Sequence, residues 1–532
     1  MRCMRSFPLK KRMVWRKRKR YIVLCILLTG CLSQGIPSQD TTYTDLFAIP
    51  WDDLTVFSQG LVDSEIASLN LLQEASVYHI DIHISTDCRL LQGHETVCYT
   101  NQENEPLQTI YFRLFPTGVG GKTTVSSVQV NETPAEFFYE YMGTALNISL
   151  EKPLLPHETV IIDMDFLVDV PTEMSGHYGL FGYYDEILLC DTFYPVIPVY
   201  DDEQWNIDLP SFQGDNTYFD ASFYLVKITA PASLTIVSAG IEIDRSETDT
   251  EQTVAVVAGP ARDFYFAASE HFHVISSTVG ETTINSYAPD SRKEEALHAL
   301  EIGINALLRF SERVGDYPYT EYDIVSIPML ARGIEYPGIV GISQDLYDPD
   351  AVISGLPSSV LLESVIAHET AHQWFYNVVG NDQINEPWLD EALAQFFTYV
   401  YYVEVQGRDA ADRYRSSWNI SWELIQSEDI PIGLPVDAYE GNQYVPIIYG
   451  RGPLFMQALA EKMGEELFYA FLRAYYESHK WNIGTTEAFK TLAESYCDCN
   501  LSPLFEEWVY AKSKNLSCLQ TFFPLCTWHH PY

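Results

Sequence analysis

Residues 365–396 read VIAHETAHQWFYNVVGNDQINEPWLDEALAQF. Within them His368, Glu369 and His372 form the pattern H-E-x-x-H. Histidines at i and i+4 stand one above the other on a helix, so both imidazoles can reach one metal ion. A catalytic zinc takes three protein ligands and keeps a fourth position open. Glu391, with 18 residues between it and His372, is the candidate third ligand. It lies in PWLDEALAQFF, where Pro387 and the apolar run behind it predict the start of a second helix. Two helices joined by such a loop can pack antiparallel and bring Glu391 back to the histidines. The short pattern alone would leave an amphipathic helix with incidental histidines as an equal reading. Extended by x18-E and an apolar helix it is far rarer, and it points to a site for one zinc ion.

The flanking residues HQWF and WLDEA resemble the zinc helices of the gluzincin aminopeptidases, the family of membrane alanyl aminopeptidase and leukotriene-A hydrolase. The resemblance covers roughly residues 76–510 and is strongest over these two helices. It implies a multidomain α+β chain: a mostly β, saddle-like N-terminal sandwich domain, then a thermolysin-like, largely helical zinc catalytic domain. In RGIEYPGIV, Gly333, Ile334 and Glu335 match the family's Gly-Ala-Met-Glu-Asn motif, while Tyr336 and then Pro337 replace the asparagine. Pro337 pushes Tyr336 into an extended conformation and removes a backbone donor, which suits an edge strand along which a peptide can lie. The resemblance makes Gly333 and Glu335 substrate-binding residues, with Glu335 facing the substrate's protonated α-amine. It makes Glu369 the general base and not a metal ligand.

The segment YVPIIYGRGPLF resembles the family's Tyr-x-Lys-Gly motif through Tyr449 and Gly452, with Arg451 in place of lysine. Tyr449 is then the candidate for stabilising the oxyanion, and Tyr444 is the fallback. The glutamine by which the family's β domain holds the substrate's amino end has no counterpart in CDTFYPVIPVYDDEQW, residues 190–205, and Gln204 is not assigned that role. The resemblance therefore implies a zinc aminopeptidase acting on peptides with a free N-terminus. The altered motif and the missing glutamine keep a zinc endopeptidase or a narrow-specificity peptide hydrolase open. A lipid-anchored binding or scaffold protein without turnover is the reading from another class. Retention of both histidines, Glu391 and Glu369 argues against it.

The chain of 532 residues is 47% apolar and 20% charged, as in ordinary globular proteins, and is long enough for two or three domains. Its formal net charge is −41; without residues 1–20, which hold ten basic residues and no acid, 22 basic face 73 acidic residues, or −51. Phosphates would be repelled, so nucleic acid is not an expected partner. Residues 1–30 read as a lipoprotein-type signal peptide. A basic run at 16–20 precedes the apolar YIVLCILLTG, and Leu28-Thr29-Gly30-Cys31 resembles a bacterial lipobox with Cys31 as the lipidation site. The expected product is exported to the cell envelope and held at the membrane by that anchor.

A spacer is expected over 31–75, the β domain over 76–275, the catalytic domain over 276–510 and a tail over 511–532, without a large C-terminal helical domain. Alternation in VYHIDIHIS marks the first strand and makes His79 and His83 strand histidines, not ligands. Seven cysteines lie beyond Cys31, disulfides are permitted outside the cytoplasm, and their connectivity stays open.

Overall fold

A computed structural model describes residues 46–510 apart from 175, 208–210, 212 and 216. The expected signal and lipidation segment with Cys31, and the tail from 511 onward, lie outside the described residues.

Alternation builds the first half of the chain. In Val77–Ile84 the side chains of Ile80, Ile82 and Ile84 are buried while Asp81 and His83 face outward. The strand pairs antiparallel with Leu90–Thr100 and parallel with Ser222–Pro231. These three are central in an eight-stranded sheet running Ile241–Glu247, Glu251–Ala261, Ser222–Pro231, Val77–Ile84, Leu90–Thr100, Thr159–Asp169, Lys122–Val130 and Thr133–Pro134. A four-stranded sheet and a three-stranded sheet pack against it over one apolar core, which includes Phe112, Ile162, Phe166 and Phe264. His79 is buried under the Trp51 ring at 3.8 Å, and His83 sits 3.2 Å from Glu251, so both are strand histidines away from any ligand cluster.

Residues 46–71, inside the expected spacer, form three short 3-10 turns that pack on both regions. Phe57 packs at a tilt against Phe223, the Val62 amide donates to the Pro318 carbonyl, and Lys480 pairs with Glu65 at 2.9 Å.

The second region opens on a five-stranded sheet ordered Phe272–Val279, Thr282–Pro289, Glu321–Ile327, Ile339–Ser343 and Gly333–Tyr336. The boundary expected at 275 thus falls inside its first strand. Gly333–Tyr336 is the edge strand, antiparallel to Ile339–Ser343, with Pro337 just beyond it. Helices follow: Lys293–Arg313 on the sheet, then Ser358–Ala371 (the histidine helix), Trp388–Tyr401 (the glutamate helix) and, among the described residues, further helices ending at Trp508. The histidine helix is buried on almost every side, so its polar residues must find partners inside the protein. Thr370 meets Tyr322, and Gln373 donates to the Tyr336 carbonyl and accepts from the Gly338 amide. Gln373 thereby ties the histidine helix to the end of the edge strand.

Cys497 and Cys499 form a disulfide; Cys88, Cys98 and Cys190 are free. Cys88 lies in the turn after Ile84, whereas Cys98 pairs with Val77 at the other end of that hairpin, so the two do not meet. No helix among the described residues is long and apolar enough to cross a membrane.

Candidate metal centre and active site

His368 lies in the last turn of the histidine helix and His372 caps its C-terminus. Glu391 lies in the first turn of the glutamate helix, whose N-cap is Pro387. A carboxylate there faces the positive end of the helix dipole. Trp388 anchors this helix, donating its indole N–H to Thr486 at 3.0 Å.

The two helices bring three ligand atoms together. His368 Nε2 is 3.1 Å from Glu391 Oε2 and 3.3 Å from His372 Nε2, and His372 Nε2 is 3.8 Å from Glu391 Oε2. Ligands bound tetrahedrally at zinc distances stand about 3.3 Å apart. The set fits one zinc ion. His372 Nδ1 lies 3.1 Å from the Phe375 carbonyl, which can only accept, so Nδ1 carries the hydrogen and a neutral ring turns a bare Nε2 toward the centre. Burial holds both imidazoles neutral: it lowers the His368 pKa to about 3 and, with His368 alongside, holds His372 well below the usual histidine range.

Glu369 is buried on the same helix, and its ligand-capable oxygen lies within 4.8 Å of those of the two histidines. Burial, then Glu391, then Asp215 push its carboxyl well above the usual range. Glu335 is buried on the edge strand with Oε1 4.0 Å from His372 Nδ1, and burial followed by the surrounding carboxyls raises it likewise. Glu391 and Asp390 are raised by burial first and by carboxyl neighbours second. A cluster of buried carboxyls, each raised by at least one acidic neighbour, is the electrostatic setting that a divalent cation would reverse. Gly333 lines the same wall, touching Glu369.

Tyr449 lies in a π-helical turn, Pro446–Arg451, and donates its hydroxyl to Glu391 Oε1. Tyr444 is also buried, but its hydroxyl faces Gly214 and has no hydrogen-bond partner among the described residues. Of the two tyrosines it is Tyr449 that reaches the ligand set. Arg451, where the family has lysine, points away: it pairs with Asp429, donates to the Glu507 carbonyl at 3.0 Å, and lies over Trp422 and Trp508. Gln204 is exposed on a two-stranded hairpin with Tyr200–Asp201 and does not join the centre.

Two residues at the site escape sequence reasoning. Asp215, from a loop of the β region, hydrogen-bonds its carboxyl to that of Glu391, and burial raises its pKa to about 6. Gln383, between the two helices, donates to Glu335 Oε1 at 3.1 Å and Asp390 Oδ2 at 2.7 Å while accepting from Thr217. Asp215 stands 153 positions before His368, and no local pattern marks it. Gln383 lies inside the diagnostic stretch, but a lone polar residue in a loop carries no periodic signal.

The chain is similar to several known proteins. The peptidase family M1 domain matches residues 298–508. Aminopeptidase M1-A of Oryza sativa subsp. japonica is 25% identical over 253 residues, 44% of this chain and 28% of that protein. Human endoplasmic reticulum aminopeptidase 2 is 26% identical over 373 residues, 64% of this chain and 36% of that protein. The chain thus spans about a third of the length of these relatives. Among solved structures, an M1 zinc metallopeptidase from Deinococcus radiodurans shares the fold with a TM-score of 0.60 at 18% identity, covering 85% of this chain and 96% of that one. A mutant of that enzyme bound to a Tyr-Ser-Ala substrate aligns with the same score at 19% identity and the same coverage.

Proposed function

We propose that this chain is a member of the M1, or gluzincin, family of zinc peptidases and that it is a zinc aminopeptidase removing residues one at a time from the free N-terminus of peptides. The observation that carries this reading is the convergence of His368 Nε2, His372 Nε2 and Glu391 Oε2 beside two further buried carboxyls, Glu369 and Glu335.

In this proposal His368, His372 and Glu391 hold one zinc ion. When bound, zinc lowers the pKa of water to about 7 and polarises a carbonyl. The chain's own residues do the rest. Glu369 takes the proton of the attacking water and returns it to the leaving amine. Tyr449 donates a hydrogen bond to the substrate oxyanion, a contact that strengthens as negative charge develops. Gly333–Tyr336 receives the substrate backbone as an added strand, with Glu335 pairing with the α-ammonium group and setting the cut at the first peptide bond. Gln383 holds Glu335 in place for that contact.

Export and anchoring through Cys31 belong to the same proposal, supported by the basic run, the apolar run and the lipobox-like sequence of residues 16–31. Cys31→Ser should release the protein from membranes in a bacterial host.

The test of activity is a panel of aminoacyl-anilides, free and N-acetylated, with a chelator-treated control. Hydrolysis of free-amine substrates alone, lost on chelation and restored by zinc, supports the aminopeptidase. Equal cleavage of blocked substrates would replace it with an endopeptidase.

A further inference from the structure

The β region sends two buried, charged side chains under the end of the histidine helix. Arg262 and Asp263 follow directly on the strand Glu251–Ala261. Among the described residues the Arg262 guanidinium is bonded to backbone carbonyls alone: Nε to Asn377 at 3.0 Å, one terminal nitrogen to Val378 at 3.2 Å and Asn482 at 2.8 Å, the other to Phe219 at 3.2 Å. Four of its five N–H donors are thereby used, and Asp220 offsets burial more than any other neighbour. Asp263 accepts from the Tyr376 hydroxyl at 2.7 Å. Gly380 leaves the room: a Cβ there would stand 2.5 Å from Arg262 Cζ.

These partners are consecutive. Phe375 gives its carbonyl to His372 Nδ1, Tyr376 its hydroxyl to Asp263, and Asn377 and Val378 their carbonyls to Arg262. Tyr376 is held at φ 123, a left-handed backbone that a residue with a Cβ keeps only when its surroundings enforce it. The turn that orients His372 is therefore clamped from the neighbouring region. Two of the four carbonyls in the fork, those of Asn377 and Val378, belong to this turn, and the strained tyrosine directly precedes them.

We propose that Arg262 is a positioning residue of the metal centre, fixing the 375–378 turn so that the Phe375 carbonyl holds His372 in its metal-binding orientation. The proposal rests on the zinc reading of His368, His372 and Glu391. A residue that orients a ligand from behind typically changes metal affinity 10–100-fold when lost.

The test is zinc affinity, read by competition with a chelator well below the unfolding temperature, for the wild type, Arg262→Leu and Gly380→Ala. Gly380→Ala displaces the guanidinium without removing its charge and decides the matter alone if Arg262→Leu does not fold. Gln344→Ala, which breaks the Gln344–Asp185 contact elsewhere between the regions, is the control. The proposal expects about 10-fold or weaker binding in both variants, with one zinc still bound at saturation and the control unchanged. Wild-type affinity in the folded variants, or the same loss in the control, would overturn it and leave Arg262 as a structural link. A wild type that binds no zinc would instead remove the metal reading beneath it.

Discussion

A Cβ placed on Gly333 would stand 2.2 Å from Oε1 of Glu369. The edge strand therefore touches the carboxylate assigned as the base, and only a hydrogen fits between them. Gly333→Ala should push that carboxylate aside by about an ångström, which costs about 100-fold in kcat/KM while leaving zinc affinity unchanged. Activity near wild type would detach Glu369 from proton transfer.

Glu369→Gln keeps the side chain's shape and removes the base. A fall in kcat of about 100-fold to 10,000-fold is expected, with one zinc still bound by metal analysis. Loss of zinc in this variant would make Glu369 a ligand instead.

Glu335→Gln should weaken a charged contact worth about 1.5–3 kcal/mol, and so reduce kcat/KM on free-amine substrates by about 10-fold to 100-fold. Steady-state kinetics on a dipeptide series checks this. No change would move amine recognition to another carboxyl, with Asp215 next in line.

The two tyrosines separate cleanly. Tyr449→Phe should lower kcat about 100-fold to 1,000-fold with KM nearly unchanged, whereas Tyr444→Phe should remain close to wild type. Reversed effects would exchange their roles.

Glu95 is fully buried in the β region with neither carboxyl oxygen bonded among the described residues, and burial raises its pKa well above the usual glutamate range. Below about pH 4.3 folded and unfolded chains both carry the proton, and the shift costs nothing. As pH rises past that value the unfolded chain releases the proton while the folded one keeps it. Stability is lost by about 1.4 kcal/mol per pH unit until the folded carboxyl also ionises. Glu95→Met should therefore raise the Tm, and by more at pH 8 than at pH 5 in thermal melts with zinc present. An equal gain at both values would show that Glu95 does not titrate this way.

The candidate metal ligands were legible because zinc chemistry constrains residue type and spacing within two neighbouring helices, and the alternation of Val77–Ile84 made the strand's buried face plain. Glu335 and Tyr449 were legible only through motif resemblance. Arg451 is explained only by the fold: it replaces lysine because its fork joins Asp429, the Glu507 carbonyl and two tryptophans, a role for which no single-sequence pattern exists. Asp215 reaches Glu391, and Arg262 and Asp263 reach the turn behind His372, by tertiary packing from far along the chain. The packed turns of 46–71 lack periodicity because a 3-10 segment of six or seven residues is too short to show one.

The most direct measurement of the central claim is a mass-spectrometric time course on one unstructured peptide of about ten residues, offered with a free and with an acetylated N-terminus. The aminopeptidase account predicts a ladder of products shortened one residue at a time from the free end, an intact acetylated peptide, and no ladder from the Glu369→Gln variant. Internal cleavage of either peptide would contradict it.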